Sequence, residues 1–133
     1  MKVESIDSNV LLRAGLDLGD NQTAQACELL AETDRVLSVS LVAVAECMHV
    51  LIRHYGLSRP DAGNVLRWVL AFESVACQDE VVLPALAMFE AHPKLSFEDC
   101  LMAEQASTSG ATPLWTFDTK LAKQHPAAKL VSN

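Results

Sequence analysis

Short runs of β-branched and apolar residues alternate along the chain with longer segments in which apolar residues recur at helical spacing. The short runs predict strands at Val3–Ile6, Arg35–Val39, Ser74–Cys77, Thr112–Phe117 and Lys129–Val131. The longer segments predict helices from Ser8 to about Ala14, at Asn21–Glu32, between Ser40 and Gly56, from Ser58 through Phe72, and at Glu80–Ala91, Ser96–Thr108 and Thr119–Gln124. Strands separated by helices form right-handed crossovers, so this order predicts an α/β fold with a parallel sheet and helices on both of its faces.

Length and composition predict one domain without a membrane segment. The chain has 133 residues, half of them apolar, which is enough for a single hydrophobic core over residues 1–133. No apolar run approaches the roughly 20 residues that cross a bilayer. The first residues, MKVESID, reach an acidic side chain too early for a secretory signal. We therefore expect a cytoplasmic protein that does not bind membranes.

Charge and cysteine usage exclude two kinds of site. The net charge of −7 argues against nonspecific nucleic-acid binding through a broad basic face, although a local site that holds divalent cations is compatible with it. The cysteines form no CxxC pair and lie among apolar neighbours, so we expect reduced core thiols and no zinc site. The histidines likewise show no HExxH or HxxxH spacing.

Four carboxylates stand out by their position. In open parallel sheets the active crevice lies beyond the carboxyl ends of the strands. Asp7 follows the first predicted strand and Asp118 the fourth, each where a strand passes into a helix. Asp99 lies in the first turn of the helix that follows Ser96, and Glu46 is the only acid in the apolar helix after the second strand.

Each carboxylate also has a structural explanation. The two aspartates at strand ends are good N-cap residues, and Ser96 with Asp99 resembles a capping box. Glu46 has Arg53 as a possible ion-pair partner on its own helix. Taken together, however, four acids at one sheet edge repel one another without a counter-ion. Such hard oxygen ligands suit Mg²⁺ or Mn²⁺, and clustered carboxylates that hold these ions are typical of phosphoryl-transfer sites.

The segments IDSNVLL, AECMHVL, SFEDCLMA and TFDTKL, in this order, resemble the PIN-domain nucleases, and most closely the VapC-type toxins of bacterial toxin–antitoxin pairs. The resemblance extends from about Ser5 to Val131. It implies a three-layer α/β/α sandwich with a parallel sheet of roughly five strands. It also implies an Mg²⁺- or Mn²⁺-dependent ribonuclease acting on RNA, a homodimer, and an antitoxin partner whose tail enters the acidic site.

The same resemblance assigns roles to individual residues. The catalytic and metal-binding positions it implies are Asp7, Glu46, Asp99 and Asp118, with Asn9 and Thr116 as supporting polar residues. Many relatives carry another Asp three residues before the third acid, where this chain has Ser96. Because Glu98 points elsewhere on the helix, we expect a second metal to bind weakly or only together with substrate.

Two other classes of function fit parts of the pattern. A catalytically silent PIN-like or receiver-like module that binds a protein suits the acidic pI of 4.9 and the few basic residues. A receiver would place two acids at the first strand end, where this chain has only Asp7. A haloacid-dehalogenase-like phosphatase would share a DxDx[TV] box with IDSNV, but Asn9 replaces its second Asp.

The residues that contact RNA or a second subunit are less well determined by the sequence. Side chains that can flank the crevice and hold phosphates, or simply remain solvated, are Arg13, Arg53, Lys120 and Lys123. The apolar segments Leu41–Ile52 and Val65–Phe72 exceed what so small a core needs, so we expect them to contribute to a symmetric homodimer.

Overall fold

The computed structural model of the protein describes residues 1–131, in which parallel strands alternate with helices. Ser132 and Asn133, which belong to the predicted domain, lie outside the described residues. The elements in chain order are β1 (Lys2–Ser5), α1 (Ser8–Gly15), α2 (Asn21–Ala31), β2 (Arg35–Ser38), α3 (Leu41–Arg53), α4 (Arg59–Leu70), β3 (Val75–Ala76), α5 (Asp79–Ala91), α6 (Phe97–Ser109), β4 (Leu114–Thr116), α7 (Thr119–Gln124) and β5 (Ala128–Leu130). This mixed α/β order confirms the predicted fold class and is consistent with a PIN-like α/β/α fold.

Helix ends follow the capping residues in the sequence. The hydroxyls of Ser40, Ser58 and Ser96 each accept a hydrogen bond from the backbone N–H three residues later, at the start of α3, α4 and α6. These bonds satisfy donors that lack a partner within the helix. Gly110, with φ +74°, ends α6 in the left-handed conformation that glycine adopts without a steric penalty.

The prediction of a single sheet of roughly five strands needs correction. β2 lies between β1 and β3 in a parallel three-stranded sheet, whereas β4 and β5 form a separate parallel pair. The five strands were predicted correctly, but hydrophobic periodicity carries no information about which strands share a sheet.

The chain divides into two compact units, Met1–Gln78 and Asp79–Asn133, the second described as far as residue 131. The prediction of one domain stays a prediction. The first unit holds β1–β3 with α1–α4, and the second holds α5–α7 with β4 and β5. No helix among the described residues is long and apolar enough to span a membrane.

In the first unit the core forms around the central strand β2. Leu37 of β2 is buried together with Leu11 of α1, Leu51 of α3 and Leu66 of α4. The apolar helix α3 buries one face, while Glu46 and other side chains of the opposite face are exposed. The helix is therefore less enclosed than its composition suggests.

The second unit is built on the packing of α5 against α6, where the rings of Phe89 and Phe97 meet edge to face at 5.4 Å. Pro84 lies inside α5 on its exposed side. Proline cannot donate a hydrogen bond to the backbone carbonyl of Glu80, but Glu80 is exposed, so this carbonyl is not buried without a donor. The helix begins at Asp79, one residue before its predicted start, and continues through Pro84 to Ala91.

A buried histidine joins three parts of the second unit. His125, only 3% exposed, follows α7 and lies 2.8 Å from the Glu104 carboxylate of α6 through Nε2. Its Nδ1 accepts a hydrogen bond of 3.0 Å from the backbone N–H of Ala127, just before β5. Because Nδ1 accepts a hydrogen bond, the ring proton is on Nε2, which donates a hydrogen bond to the Glu104 carboxylate.

We expect His125→Ala to lower the free energy of unfolding by about 2–3 kcal/mol, because it leaves buried polar partners unsatisfied and opens a cavity. Urea denaturation provides the measurement. His49→Ala, at an exposed histidine, is the matched control and should change stability by less than about 0.5 kcal/mol. Equal effects of the two changes would contradict the bridging role of His125.

The four cysteines form no disulfide among the described residues; Cys47 and Cys100 are buried, as predicted for core thiols, whereas Cys27 and Cys77 are only half-buried. Burial raises the pKa of the Cys47 thiol from its ordinary 9.0 to about 12, and the charge of Glu46 adds to this shift. In the folded protein the thiol therefore stays protonated, whereas in the unfolded chain it ionises near pH 9. Its contribution to stability is intact below pH 9.0 and is lost as the pH rises toward about 12.

The stability difference between the wild type and Cys47→Ala should consequently shrink between about pH 8 and about pH 11. Urea denaturation of both proteins across this range tests the expectation. At pH 8 the Cys47 thiolate is also about a thousandfold scarcer than that of an unperturbed thiol, so its alkylation by iodoacetamide should be slow. A difference in stability that stays constant with pH would contradict the raised pKa.

Candidate active site

Asp7 lies at the junction of β1 and α1, as the sequence predicts. Its Oδ1 accepts a hydrogen bond of 3.0 Å from the backbone N–H of Val10, so Asp7 is the N-cap of α1. The side chain is exposed. The cap engages one carboxylate oxygen and leaves the other free to bind a ligand.

Glu46 lies on α3, the helix that follows β2, and its side chain is exposed. Within the described part of the chain, its carboxylate pairs with neither Arg53 nor any other cation. The ion-pair explanation for Glu46 therefore has no support in the structure. The strands β1 and β2 pair in parallel with Ser5 opposite Ser38, so Asp7 and α3 both follow the carboxyl end of the same sheet.

Asp99 occupies the first turn of α6 and is half-buried. Its backbone N–H donates to the Ser96 hydroxyl at 3.1 Å, but the reciprocal bond of a capping box, from the Ser96 N–H to the Asp99 carboxylate, is not formed. No described residue donates a hydrogen bond to the Asp99 side chain. Both of its carboxylate oxygens are thus available, which the capping explanation does not account for.

Asp118 is fixed where β4 passes into α7. Its Oδ1 accepts hydrogen bonds from the backbone N–H groups of Lys120, at 2.8 Å, and Leu121, at 3.2 Å. The N–H of Asp118 itself donates to Oγ1 of Thr116 at 3.0 Å. Thr116, predicted as a supporting polar residue, therefore holds the turn that positions Asp118, whose second oxygen remains free.

The four carboxylates are divided between the two units. Asp7 and Glu46 belong to the first unit, and Asp99 and Asp118 belong to the second. Within residues 1–78, and likewise within 79–131, no three His, Cys, Asp or Glu side chains form a metal-binding group. Asn9, the other predicted polar residue, is exposed on α1, and its side chain has no described hydrogen-bond partner.

The donor set suits a hard divalent cation. Asp7 and Asp118 each keep one unengaged carboxylate oxygen, and the carboxylates of Glu46 and Asp99 have no described partner. Carboxylate oxygens are the ligands that Mg²⁺ and Mn²⁺ prefer. The residues present therefore fit the kind of metal that the sequence implies.

Comparison with known protein families identifies the family of the chain that carries these carboxylates. The PIN domain profile matches residues 5–125, which include all four of them. The chain belongs to the PIN-domain family. PIN domains are generally nucleases, so this PIN domain has a nuclease-type fold. No curated protein matches the chain significantly.

A second capping aspartate in the first unit shows how such a residue is neutralised. Asp20 is the N-cap of α2, and its pKa is lowered, first by the hydrogen bond from the Thr23 backbone N–H and also by Arg13. Arg13 Nη1 lies 2.6 Å from Asp20 Oδ2. Asp7, by contrast, has no described cation partner.

Substitution of Asp7 can distinguish a role in capping from a role in metal binding. Asn caps a helix about as well as Asp, so Asp7→Asn keeps the cap and removes the charge. If Asp7 belongs to a carboxylate site, this change should raise the melting temperature in EDTA, because repulsion is relieved, by an amount equivalent to about 1–2 kcal/mol. It should also remove most of the stabilisation by Mn²⁺.

Asp20→Asn is the matched control at a cap outside the proposed site. It should lower the melting temperature, because the ion pair with Arg13 is lost, and it should leave the Mn²⁺ response intact. Melting curves of the three proteins in EDTA and in Mn²⁺ provide the measurement. An Asp7→Asn protein with an undiminished Mn²⁺ response would exclude Asp7 from the metal site.

Proposed function

We propose that this PIN domain is a metal-dependent endoribonuclease that hydrolyses phosphodiester bonds in RNA with Mg²⁺ or Mn²⁺ as cofactor. The observation that carries the proposal is the set of carboxylates at strand-to-helix junctions and helix starts, which keep oxygens free. Capping alone needs neither the charge of Asp7 nor the unpartnered carboxylate of Asp99.

The proposed metal ligands are Asp7, Glu46, Asp99 and Asp118. A divalent cation bound to them would supply charge neutralisation at the scissile phosphate and activation of water. The backbone N–H groups of Val10, Lys120 and Leu121 restrict the two capping aspartates to one orientation, so that less ordering is required when a cation binds. Thr116 orients the Asp118 turn in the same way.

The biological setting that we propose is a toxin–antitoxin pair. The sequence segments around the four acids resemble VapC-type toxins, which favours RNA as substrate, a cognate antitoxin as partner and a cytoplasmic location. We also propose a homodimer. Exposed apolar side chains on the segments expected to contact a second copy, Val42 on α3 and Trp68 on α4, support it.

The experiment that tests the catalytic proposal compares two adjacent acids on α6. Asp99→Asn should reduce Mn²⁺-dependent cleavage of single-stranded RNA by about a thousandfold or more, since a metal ligand contributes several kcal/mol to the transition state. Glu98→Gln is the matched control, because Glu98 is an exposed acid one residue away and lies outside the proposed site. It should retain activity.

Cleavage products resolved on denaturing gels, with circular dichroism to verify folding, provide the measurement. Equal activity of wild type and Asp99→Asn would mean that the activity does not come from this site. A folded wild-type protein that cleaves no RNA in Mn²⁺ would refute the proposal and favour a catalytically silent protein-binding module.

A further inference from the structure

The basic side chains of the second unit are concentrated in one groove. The groove has a volume of about 630 Å³ and is lined by residues of α7 and β5 and by the turn before α6. Its lining includes Lys94, Lys120, Lys123 and Lys129, which are all the lysines and arginines that residues 79–133 contain. We call this groove the lysine groove.

The charge of the lysine groove is not cancelled locally. All four lysines are exposed, and none forms an ion pair with a carboxylate of the described residues. The described lining also includes no acidic side chain, although the second unit has more carboxylates than lysines. Charges of one sign have thus been segregated on a chain whose net charge is −7, and this pattern favours an anionic ligand.

An exposed aromatic ring adjoins these cations. Trp115 of β4, which is 57% exposed, pairs with Lys129 of β5, whose Nζ lies 5.4 Å from the ring centroid. A large ring left in water beside unpaired cations is the combination that binds single-stranded nucleic acid, where lysines contact phosphates and the ring stacks on a base. An acidic peptide would use the cations but would gain little from the flat ring.

We infer that the lysine groove binds the phosphate backbone of single-stranded nucleic acid, with Trp115 as the stacking residue. Thr119 and Lys120, which line the groove, directly follow Asp118 in the chain. A strand held in the groove therefore lies beside one of the proposed metal ligands. The role of the groove in cleavage rests on the proposed nuclease function, but its binding of nucleic acid does not.

Binding is measured by fluorescence anisotropy with a labelled oligouridylate of about twelve nucleotides, using the full chain in EDTA so that no cleavage occurs. If the four lysines each contact one phosphate, a plot of the logarithm of the association constant against the logarithm of the salt concentration should have a slope of about −2.8. Lys123→Gln should weaken binding several-fold and reduce the slope by about 0.7. Trp115→Leu should weaken binding by about tenfold and leave the slope nearly unchanged.

Lys2→Gln is the matched control, since Lys2 is the one lysine outside the groove and the change in charge is the same. It should alter neither affinity nor slope. Equal effects of Lys2→Gln and Lys123→Gln, or wild-type binding without salt dependence, would overturn the inference. A glutamate-rich peptide of the same charge as the RNA provides a further test. If this peptide displaces the RNA at equal concentration, and if Trp115→Leu leaves RNA affinity unchanged, the inference is overturned in favour of an acidic protein segment.

The two proposals fail in different ways. RNA binding in EDTA that depends on the groove lysines, without cleavage in Mn²⁺, would refute the nuclease and support the lysine groove. Cleavage in Mn²⁺ that is insensitive to Lys120→Gln, Lys123→Gln and Lys129→Gln, together with unchanged binding in EDTA, would support the nuclease and overturn the lysine groove.

Discussion

The first backbone N–H groups of a helix have no partner within the helix, and this constraint shapes the molecule at the junctions that lead into α1, α3 and α7. A short polar side chain placed just after a strand satisfies one or two of these donors, as Asp7 does for α1, Ser40 for α3 and Asp118 for α7. The junctions after parallel strands are also the carboxyl edge of a sheet, where α/β proteins bind ligands. The side chain that caps a helix after a parallel strand therefore lies at the edge of the sheet where ligands bind in such proteins. One residue can serve both purposes.

Whether a helix is capped by serine or by aspartate distinguishes a residue that only caps from one that can also bind a ligand. Ser58 and Ser96 cap their helices without adding charge, and Asp20 has its charge neutralised by Arg13. Asp7 and Asp118 add a charge that no described cation neutralises, although a neutral residue would have capped as well. An unneutralised carboxylate in a cap gains from the backbone N–H groups and from the start of the helix dipole, so its charge is tolerated before any metal binds. The backbone N–H groups thus hold in place a carboxylate that the proposed cation would bind.

Local sequence patterns predicted the elements and the capped junctions well, because capping and periodicity depend on residues within a few positions of each other. Ser96, Gly110 and the range of α7 all follow from such short patterns. The partition of the strands into two sheets did not follow, since pairing depends on contacts distant in sequence. The capping-box interpretation of Asp99 was only half correct, because a side chain's orientation is decided by its tertiary surroundings. The lysine groove was predicted only through Lys120 and Lys123, because Lys94 and Lys129 lie far from each other in sequence and no periodicity connects them.

The proposed function requires an acidic chain to bind a polyanion, and the distribution of charge in this chain provides a physical basis for it. At physiological ionic strength, charges separated by more than about 8 Å are largely screened from each other, so a phosphate responds to the side chains around it and far less to the net charge of −7. Lysines without acidic neighbours in the groove can hold a backbone even though carboxylates predominate elsewhere. Carboxylates without cationic neighbours, such as Asp7 and Asp99, can attract only what the solvent supplies, and divalent cations are the most strongly attracted of these. In the proposed nuclease, this segregation of the two signs of charge would let one small chain attract both a polyanion and its counter-cation, which mixed ion pairs over the same surface would prevent.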